Sequence, residues 1–325
     1  QVVCHSLSDV PDIIDTWNEG KVADVEGYYE NAKINRVYVD RVHVKKAFAE
    51  YTAAYNADDP KIKLKIDHTY RVAALCERIA KAAGMCAYDV ELAWLSGMLH
   101  DVGRFEQIKR YNTFSDADSV DHAKFGADLL FKDGLISTFL NGMVKCTGYK
   151  PGALEDRYSS DGVFLYDRLN KSDMEMLELA IRCHNMYRIP QGLNRREQAF
   201  CNVLRDADKV DIFKVNIDTP LEEIYNTTTE ELMKSDITDE VLEAFDEEHC
   251  ILKAIRRTPA DTVIGHVSLA YELVYDESVR ITVEQGYLAK LMHFHSDNEE
   301  TNRKMAMVRE KMDSYVKKRI GEKDA

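Results

Sequence analysis

The sequence predicts an all-α fold, and three observations carry that prediction. Apolar residues recur at offsets of three, four and seven along much of the chain, which is the spacing of one helix face. The 325 residues include only six prolines, and few stretches alternate apolar and polar residues as a half-buried strand does. Because 45% of the residues are hydrophobic and 9% aromatic, we expect helices packed around a sizeable apolar core.

The first two regions differ in pattern. Residues 1–45 mix short apolar clusters with charged residues, so we predict an irregular lead-in that packs on the core. Helical patterns dominate residues 46–215, the predicted main domain. Two polar segments with turn-forming residues interrupt it, at 111–119 and 147–162. The first is expected to border a cleft.

Residues 216–325 are predicted to form a C-terminal helical extension. Short helices are expected at 221–225 and 241–245, and two longer ones over 281–320. The last of these carries Met305, Val308 and Met312 at helical spacing. A stripe of this kind is either core or an interface between subunits, and the second alternative would make the protein a homo-oligomer.

Several polar residues stand on faces that are otherwise apolar. His68 aligns with Val72 and Leu75, at offsets of four and seven. Asp208 lies four residues from both Leu204 and Ile212. The same holds for His122 and His184, and a His-Asp dipeptide lies between His68 and His122 in the chain. The full set is His68, His100, Asp101, His122, His184 and Asp208. Each side chain should therefore point into the protein.

This set of side chains predicts a metal site. A buried carboxylate or charged imidazole is costly unless it is paired. A single inward histidine is more often hydrogen-bonded to a carbonyl, whereas a shared cation would stabilise all six residues together. Imidazole nitrogen and carboxylate oxygen suit zinc, iron, manganese and nickel.

The order of these residues resembles a known family. His68, then His100-Asp101, then Asp208 resembles the HD-domain superfamily of metal-dependent phosphohydrolases. The flanking segments 99–107 and 205–211 resemble the version found in a group of bacterial HD proteins. The resemblance covers residues 46–215, and it implies an HD-domain helical core with the C-terminal helices added to it.

Two further histidines resemble those of the six-ligand, two-metal branch. His122 and His184 match the histidines that this branch adds between the dipeptide and the last aspartate. The resemblance then implies that Asp101 bridges two ions. It places His68, His100 and Asp208 on one ion, and the two added histidines on the other. The cofactor would be one or two divalent ions of manganese, iron, zinc, cobalt or nickel.

The chemistry implied by the resemblance is hydrolysis of a phosphate ester. A divalent ion lowers the pKa of bound water, and a second ion neutralises charge on a phosphate. We expect a phosphomonoesterase or phosphodiesterase that acts on a nucleotide or another small phosphorylated metabolite. Asp101 would be central to catalysis. Arg104, three residues beyond it, and Lys209, directly after Asp208, are predicted to complete a phosphate clamp.

Other charged residues near the proposed ligands could also contribute to the site or to helix capping. Arg188 is a third candidate for the clamp. Asp67, Asp121 and Asp206 could orient imidazoles or cap helices, and capping is favoured for Asp67 and Asp121.

Composition limits the partners. A net charge of −14 argues against a nucleic-acid polymer, but local cations in a cleft can still bind a small nucleotide. The sequence contains no apolar run of about 18 residues, the length that a membrane-spanning helix requires. Seven cysteines without a Cys-x-x-Cys spacing argue against a disulfide scaffold, so we expect a cytoplasmic protein.

Two other functions fit the same ligands. Some HD-fold enzymes bind two irons and cleave C–C or C–P bonds with dioxygen, and ligand identity does not separate these oxygenases from hydrolases. A regulatory or sensor module that keeps the metal is the third alternative. No Gly-Tyr-Pro follows His184, which argues against a cyclic-dinucleotide phosphodiesterase.

Overall fold

A computed structural model describes residues 39–140, 171–225 and 227–321, together with the backbone of 145–146 and 164–165. Most of the predicted lead-in (1–38) and the predicted loop at 147–162 lie outside these residues. The chain divides into two compact units, residues 1–204 and 205–325. The boundaries predicted at 45 and 215 stay predictions.

The all-α prediction is confirmed. The first unit contains helices of five to 23 residues. These are α1 (Arg41–Thr52), α2 (Pro60–Ala82), α3 (Ala87–Leu99), α4 (Val102–Tyr111), α5 (His122–Ala127), α6 (Ile136–Leu140), α7 (Lys171–Cys183) and the start of α8 (Arg195–Asp218). A π-helical turn, Asp128–Lys132, continues α5. One antiparallel pair of two-residue strands joins β1 (Lys145–Cys146) to β2 (Phe164–Leu165).

Aspartates begin two of the helices that carry predicted ligands. Asp59 caps α2 by accepting from the backbone N–H of Lys61, and Pro60 occupies the first turn. Asp121 caps α5, as predicted, by accepting from the N–H of Lys124. The capping prediction for Asp67 is wrong, because this residue lies inside α2 and is exposed.

Two glycines let ligand-bearing helices approach closely. A Cβ on Gly97 of α3 would lie 2.6 Å from the Cα of Ala73 on α2. A Cβ on Gly103 of α4 would lie 2.5 Å from the carbonyl oxygen of His122 and 2.7 Å from the nitrogen of Gly126, both on α5. Real side chains do not tolerate such contacts. Only glycine at these two crossings therefore allows this spacing of α2, α3, α4 and α5.

Aromatic rings form the core beside α4. Phe105 packs edge-to-face on Phe48 and Tyr51 of α1, with ring centroids 5.8 and 5.9 Å apart. Tyr51 also contacts Phe139 of α6 at 6.3 Å. Edge-to-face pairs of this kind contribute beyond simple burial. They fix α4, whose first residue directly follows Asp101.

A buried ionic network joins the first turns of α3, α7 and α8. The Arg196 guanidinium lies 2.7 Å from Asp89 Oδ1 and 2.7 Å from Asp173 Oδ1. The Tyr88 hydroxyl donates to Asp173 Oδ2 at 2.6 Å. Burial raises the pKa of Asp89, and the hydrogen bond from Arg196 opposes that shift. This network fixes the helices that lead into His100-Asp101 and His184.

The second unit contains the rest of α8 and shorter helices. These are α9 (Leu221–Tyr225), α10 (Thr229–Lys234), α11 (Asp239–Asp246), α12 (Pro259–Val267), α13 (Asp276–Gln285), α14 (Tyr287–Met292) and α15 (Glu299–Ile320), with 3₁₀ turns at Lys253–Ile255 and Ser268–Glu272. The helices predicted at 221–225 and 241–245 coincide with α9 and α11. Residues 281–320 form parts of three helices instead of two, because Gly286 takes a φ of 69° and ends α13. Met305, Val308 and Met312 of α15 are buried.

Asp206 holds the chain at the start of α13. Its carboxylate accepts from the backbone N–H groups of Val274 and Tyr275, which precede the helix, and from the Ser278 hydroxyl, at 2.7 to 3.0 Å. These bonds pair the buried carboxylate with donors. The two roles predicted for Asp206 stay predictions.

Candidate metal centre

Five predicted ligands converge in the first unit. His68 lies on α2, His100 and Asp101 form the junction of α3 and α4, His122 is the first residue of α5, and His184 directly follows α7. Each is at most 4% exposed. Asp101 occupies the N-cap position of α4, but its side chain makes no capping hydrogen bond. Its carboxylate instead faces the imidazoles.

The two oxygens of Asp101 face two different histidine pairs. Oδ2 lies 3.5 Å from Nε2 of His68 and 3.5 Å from Nε2 of His100. Oδ1 lies 3.5 Å from Nε2 of His122 and 3.7 Å from Nε2 of His184. The Nε2 atoms of His68 and His100 are 3.3 Å apart, and those of the other pair are 3.1 Å apart. Asp101 therefore stands between two sets of ligand atoms, each within 4.8 Å of one another.

Hydrogen bonds fix the ring orientation of three of these histidines. Nδ1 of His100 and Nδ1 of His184 each lie 2.7 Å from the carbonyl oxygen three residues earlier. Nδ1 of His122 lies 2.7 Å from the Asp116 carboxylate. Carbonyl and carboxylate oxygens only accept, so each ring carries its proton on Nδ1. The Nε2 lone pairs then point toward Asp101, as in the imidazoles of metal sites.

This donor set fits a divalent cation. Two unprotonated Nε2 atoms, of His122 and His184, face each other at 3.1 Å and cannot hydrogen-bond to each other. Asp101 Oδ1 beside them is buried and finds no hydrogen-bond partner among the described residues. A buried carboxylate oxygen without a donor is unfavourable. A cation bound to all three atoms removes that penalty.

The charges around the Asp101 carboxylate favour its ionised form. Burial alone would raise the pKa of Asp101, but Lys65, His100 and His122 outweigh it and hold this pKa well below the usual range. Burial lowers the pKa of His122 to about 4, and Arg104 adds to that shift. At neutral pH Asp101 is therefore charged and His122 neutral, as metal ligands must be.

Asp116 is a residue beside the centre that the sequence analysis did not identify. It accepts from His122, from Arg104 Nη1 at 2.9 Å, from Gln107 Nε2 at 3.0 Å and from Asn185 Nδ2 at 3.2 Å. Burial raises its pKa, but the hydrogen bond and charge of His122, the charge of Arg104 and the hydrogen bond from Gln107 together lower it by more, so the net pKa is lowered. Its place in the polar segment 111–119 was the available signal, but loops carry no periodicity that indicates direction.

Arg104 lies close to Asp101 and is tied to the loop. Its Nη1 donates to Gln107 Oε1, the Phe114 carbonyl and Asp116 Oδ1, at 2.6 to 2.9 Å. Its Nε lies 3.8 Å from Asp101 Oδ1. The phosphate-clamp role of Arg104 stays a prediction, while the structure shows that one nitrogen of its guanidinium holds the loop.

Lys65 is the second residue that the sequence reasoning missed. Its Nζ lies 2.6 Å from Asp101 Oδ2. It stands three residues before His68 on α2, so helical spacing places both on one face. That offset could have identified it.

Two of the other predicted residues belong to the second unit, and one follows His184. Asp208 is half-buried on α8 within the second unit, and its role as a ligand stays a prediction. The adjacent Lys209 is 8% exposed. Burial lowers its pKa, and the nearby Arg205 adds to that shift. Arg188, in the segment after His184, stacks on the Tyr187 ring at 5.7 Å.

Comparison with known families agrees with this centre. A model of the HD domain family matches residues 66–253, more than half of the chain. The chain belongs to the HD domain family. Its matched segment contains all five converging residues and Asp208. HD domain proteins are usually metal-dependent hydrolases. No curated protein and no solved structure matches this HD protein.

Across the described residues, no helix combines the length and the apolar character that crossing a bilayer requires.

Proposed function

We propose that this protein is a metal-dependent phosphohydrolase acting on a nucleotide or another small phosphorylated metabolite. The observation that carries the proposal is the arrangement around Asp101, with a pair of buried imidazoles facing each carboxylate oxygen. Such a bridging carboxylate is suited to two ions that act together on one phosphate group.

The protein residues would divide between two ions. His68 and His100 would hold one with Asp101 Oδ2, and Asp208 is proposed to complete that set. His122 and His184 would hold the other with Oδ1. Bound divalent ions of manganese, iron, zinc, cobalt or nickel would supply an activated water and neutralise the charge of the reacting phosphate.

Charge balance supports an anionic substrate. Lys65 and Arg104 balance the carboxylates of Asp101 and Asp116 within the first unit. Each divalent ion therefore adds positive charge that the proposed carboxylate of Asp208 offsets only in part. A cleft charged in this way attracts a phosphate group, although the whole chain has a net charge of −14.

The side chains themselves would bind and orient, and they would not transfer protons. His100, His122 and His184 carry their protons on Nδ1, on the side away from Asp101. Each of these imidazoles is at most 4% exposed, so little water reaches them from outside the centre. Arg104 holds the loop that carries Asp116, and Asp116 in turn holds the His122 ring.

A substrate screen with the full chain tests the proposal. Chelator-treated protein would be supplied with each of the five metals and assayed with an aryl phosphate and a bis-aryl phosphate. We expect ester cleavage with at least one metal and its loss in His100→Ala and Asp101→Ala. Asp67→Ala, an exposed neighbour of His68 on α2, is the matched control and should retain the activity.

The same preparations distinguish the alternatives. Oxygen uptake by the iron-loaded protein without ester cleavage would favour an oxygenase. Tight metal binding without turnover of any phosphate ester would favour a sensor module. Either result contradicts the hydrolase proposal.

A further inference from the structure

We propose that Lys65 is an internal counter-cation that competes with a divalent ion for Asp101 and thereby weakens metal binding on the His68–His100 side. The inference rests on the proposed function, because it takes a divalent ion at this centre as its starting point.

The position of the Lys65 ammonium carries the argument. Its Nζ lies 2.6 Å from Asp101 Oδ2, the oxygen that is 3.5 Å from Nε2 of both His68 and His100. The carboxylate is 2% exposed and the lysine side chain 17%. This is a charge-assisted hydrogen bond at low exposure, which is among the stronger kinds. Metal binding at Oδ2 must therefore work against it.

The other oxygen of Asp101 has a different environment. Oδ1 finds no hydrogen-bond partner within the described part of the chain. The nearest nitrogen of Arg104 is 3.8 Å away, and the same guanidinium is held by Gln107, Phe114 and Asp116. Competition by an ammonium therefore applies to the His68–His100 side and not to the His122–His184 side.

The Phe114 ring gives the Lys65 ammonium a partner besides Asp101. Its Nζ is 5.5 Å from the centroid of the half-buried Phe114 ring, within the range of a cation–π contact. The side chain has four rotatable bonds, so it can leave Asp101 without a change in the backbone. Repulsion by a divalent charge at Oδ2 would drive that movement. A metal ion that binds Oδ2 must break this charge-assisted hydrogen bond. That cost corresponds to metal binding that is about ten- to hundredfold weaker.

Calorimetric titration of Mn²⁺ into metal-stripped full-length protein tests the inference. His122→Ala leaves the His68 side intact, and His68→Ala leaves the His122 side intact. In the His122→Ala background, Lys65→Met should tighten Mn²⁺ binding about ten- to hundredfold. In the His68→Ala background, Lys65→Met should change the Mn²⁺ dissociation constant by less than about threefold. Lys63→Met removes the same charge from an exposed position on α2 and should change it by less than about twofold.

The outcomes separate cleanly. Equal tightening in both backgrounds, no change, or weaker binding in the His122→Ala background would overturn the inference. Weaker binding would mean that Lys65 orients Asp101. Lys65→Gln, which keeps a hydrogen-bond donor without the charge, replaces Lys65→Met if that variant does not fold. Failure of the unmodified protein to bind Mn²⁺ or the other metals overturns the proposed function as well, whereas metal binding that is insensitive to Lys65→Met contradicts this inference alone.

Discussion

Replacing Arg196 with methionine should destabilise the first unit strongly. The guanidinium is the shared partner of Asp89 and Asp173, which are 3% and 0% exposed as side chains. Methionine keeps much of the volume but none of the charge. The variant would leave two buried carboxylates facing each other, with the Tyr88 hydroxyl still donating to Asp173.

The magnitude follows from the burial of these groups. Removing one partner of a buried ionic network reduces the free energy of unfolding by about 3–5 kcal/mol. With a urea m-value of about 3 kcal/mol/M, the midpoint of unfolding should fall by roughly 1–2 M. The loss should also depend on pH. Burial already raises the pKa of Asp89, and without Arg196 that pKa should rise further.

The sign of the pH dependence follows from linkage. A carboxyl whose pKa is higher in the folded than in the unfolded state takes up its proton first in the folded state. Protonation then relieves the buried charge as the pH falls. The destabilisation by Arg196→Met should therefore be smaller at pH 5.5 than at pH 7.5.

Tryptophan fluorescence during urea unfolding measures the effect. Trp94 lies on α3, five residues from Asp89, and is 4% exposed. A Trp17→Phe background removes the other of the two tryptophans, so the signal reports the first unit. Arg195→Met, at an exposed neighbouring position, is the control and should change stability by less than about 0.5 kcal/mol. A loss below about 1 kcal/mol for Arg196→Met, or an equal loss at both pH values, would refute the reasoning.

Three further predictions concern the centre and the second unit. Asp116→Ala should weaken Mn²⁺ binding about ten- to hundredfold, measured by calorimetry, because His122 loses the carboxylate that orients it; unchanged affinity would contradict this role. Gly103→Ala should destabilise the protein by more than about 2 kcal/mol and lower metal affinity, since its Cβ would meet the His122 carbonyl at 2.5 Å; a stable variant with normal affinity would be inconsistent with the close crossing. Burial lowers the pKa of His266 to about 3, and Arg256 adds to the shift. The unfolded chain therefore takes up a proton at His266 between pH 7 and 5, whereas the folded chain does not. The free energy of unfolding should fall by up to about 2 kcal/mol over this range. Calorimetric unfolding should show a shallower pH dependence in His266→Gln, and identical slopes would count against the assignment.

The inward orientation of candidate ligands could be predicted because it depends on local spacing. His68 and His122 stand on helix faces whose apolar residues repeat with the helical period, and that period follows from backbone geometry alone. The His-Asp dipeptide at a helix junction was equally visible. The all-α class followed from the same pattern, and helices such as α9 and α11 appeared where the spacing indicated them.

Other features could not be read from the sequence. Gly286 ends a helix that the apolar pattern would have continued, because a left-handed residue acts at one position and leaves the periodicity around it unchanged. The prediction that Asp67 caps a helix is wrong, because the cap of α2 is Asp59, eight residues earlier. Local signals locate a helix better than they locate its ends.

By itself, the sequence determined which residues are candidate metal ligands and which helix faces turn inward. Only the tertiary structure decided how the imidazoles pair on the two oxygens of Asp101, that Lys65 lies on one of them, and that Asp116 holds His122. The physical reason is distance along the chain. His122 and His184 are separated by 62 residues, but their Nε2 atoms lie 3.1 Å apart. Such a contact depends on helix crossings, and these are set by single glycines and a buried ionic network instead of by any repeating pattern.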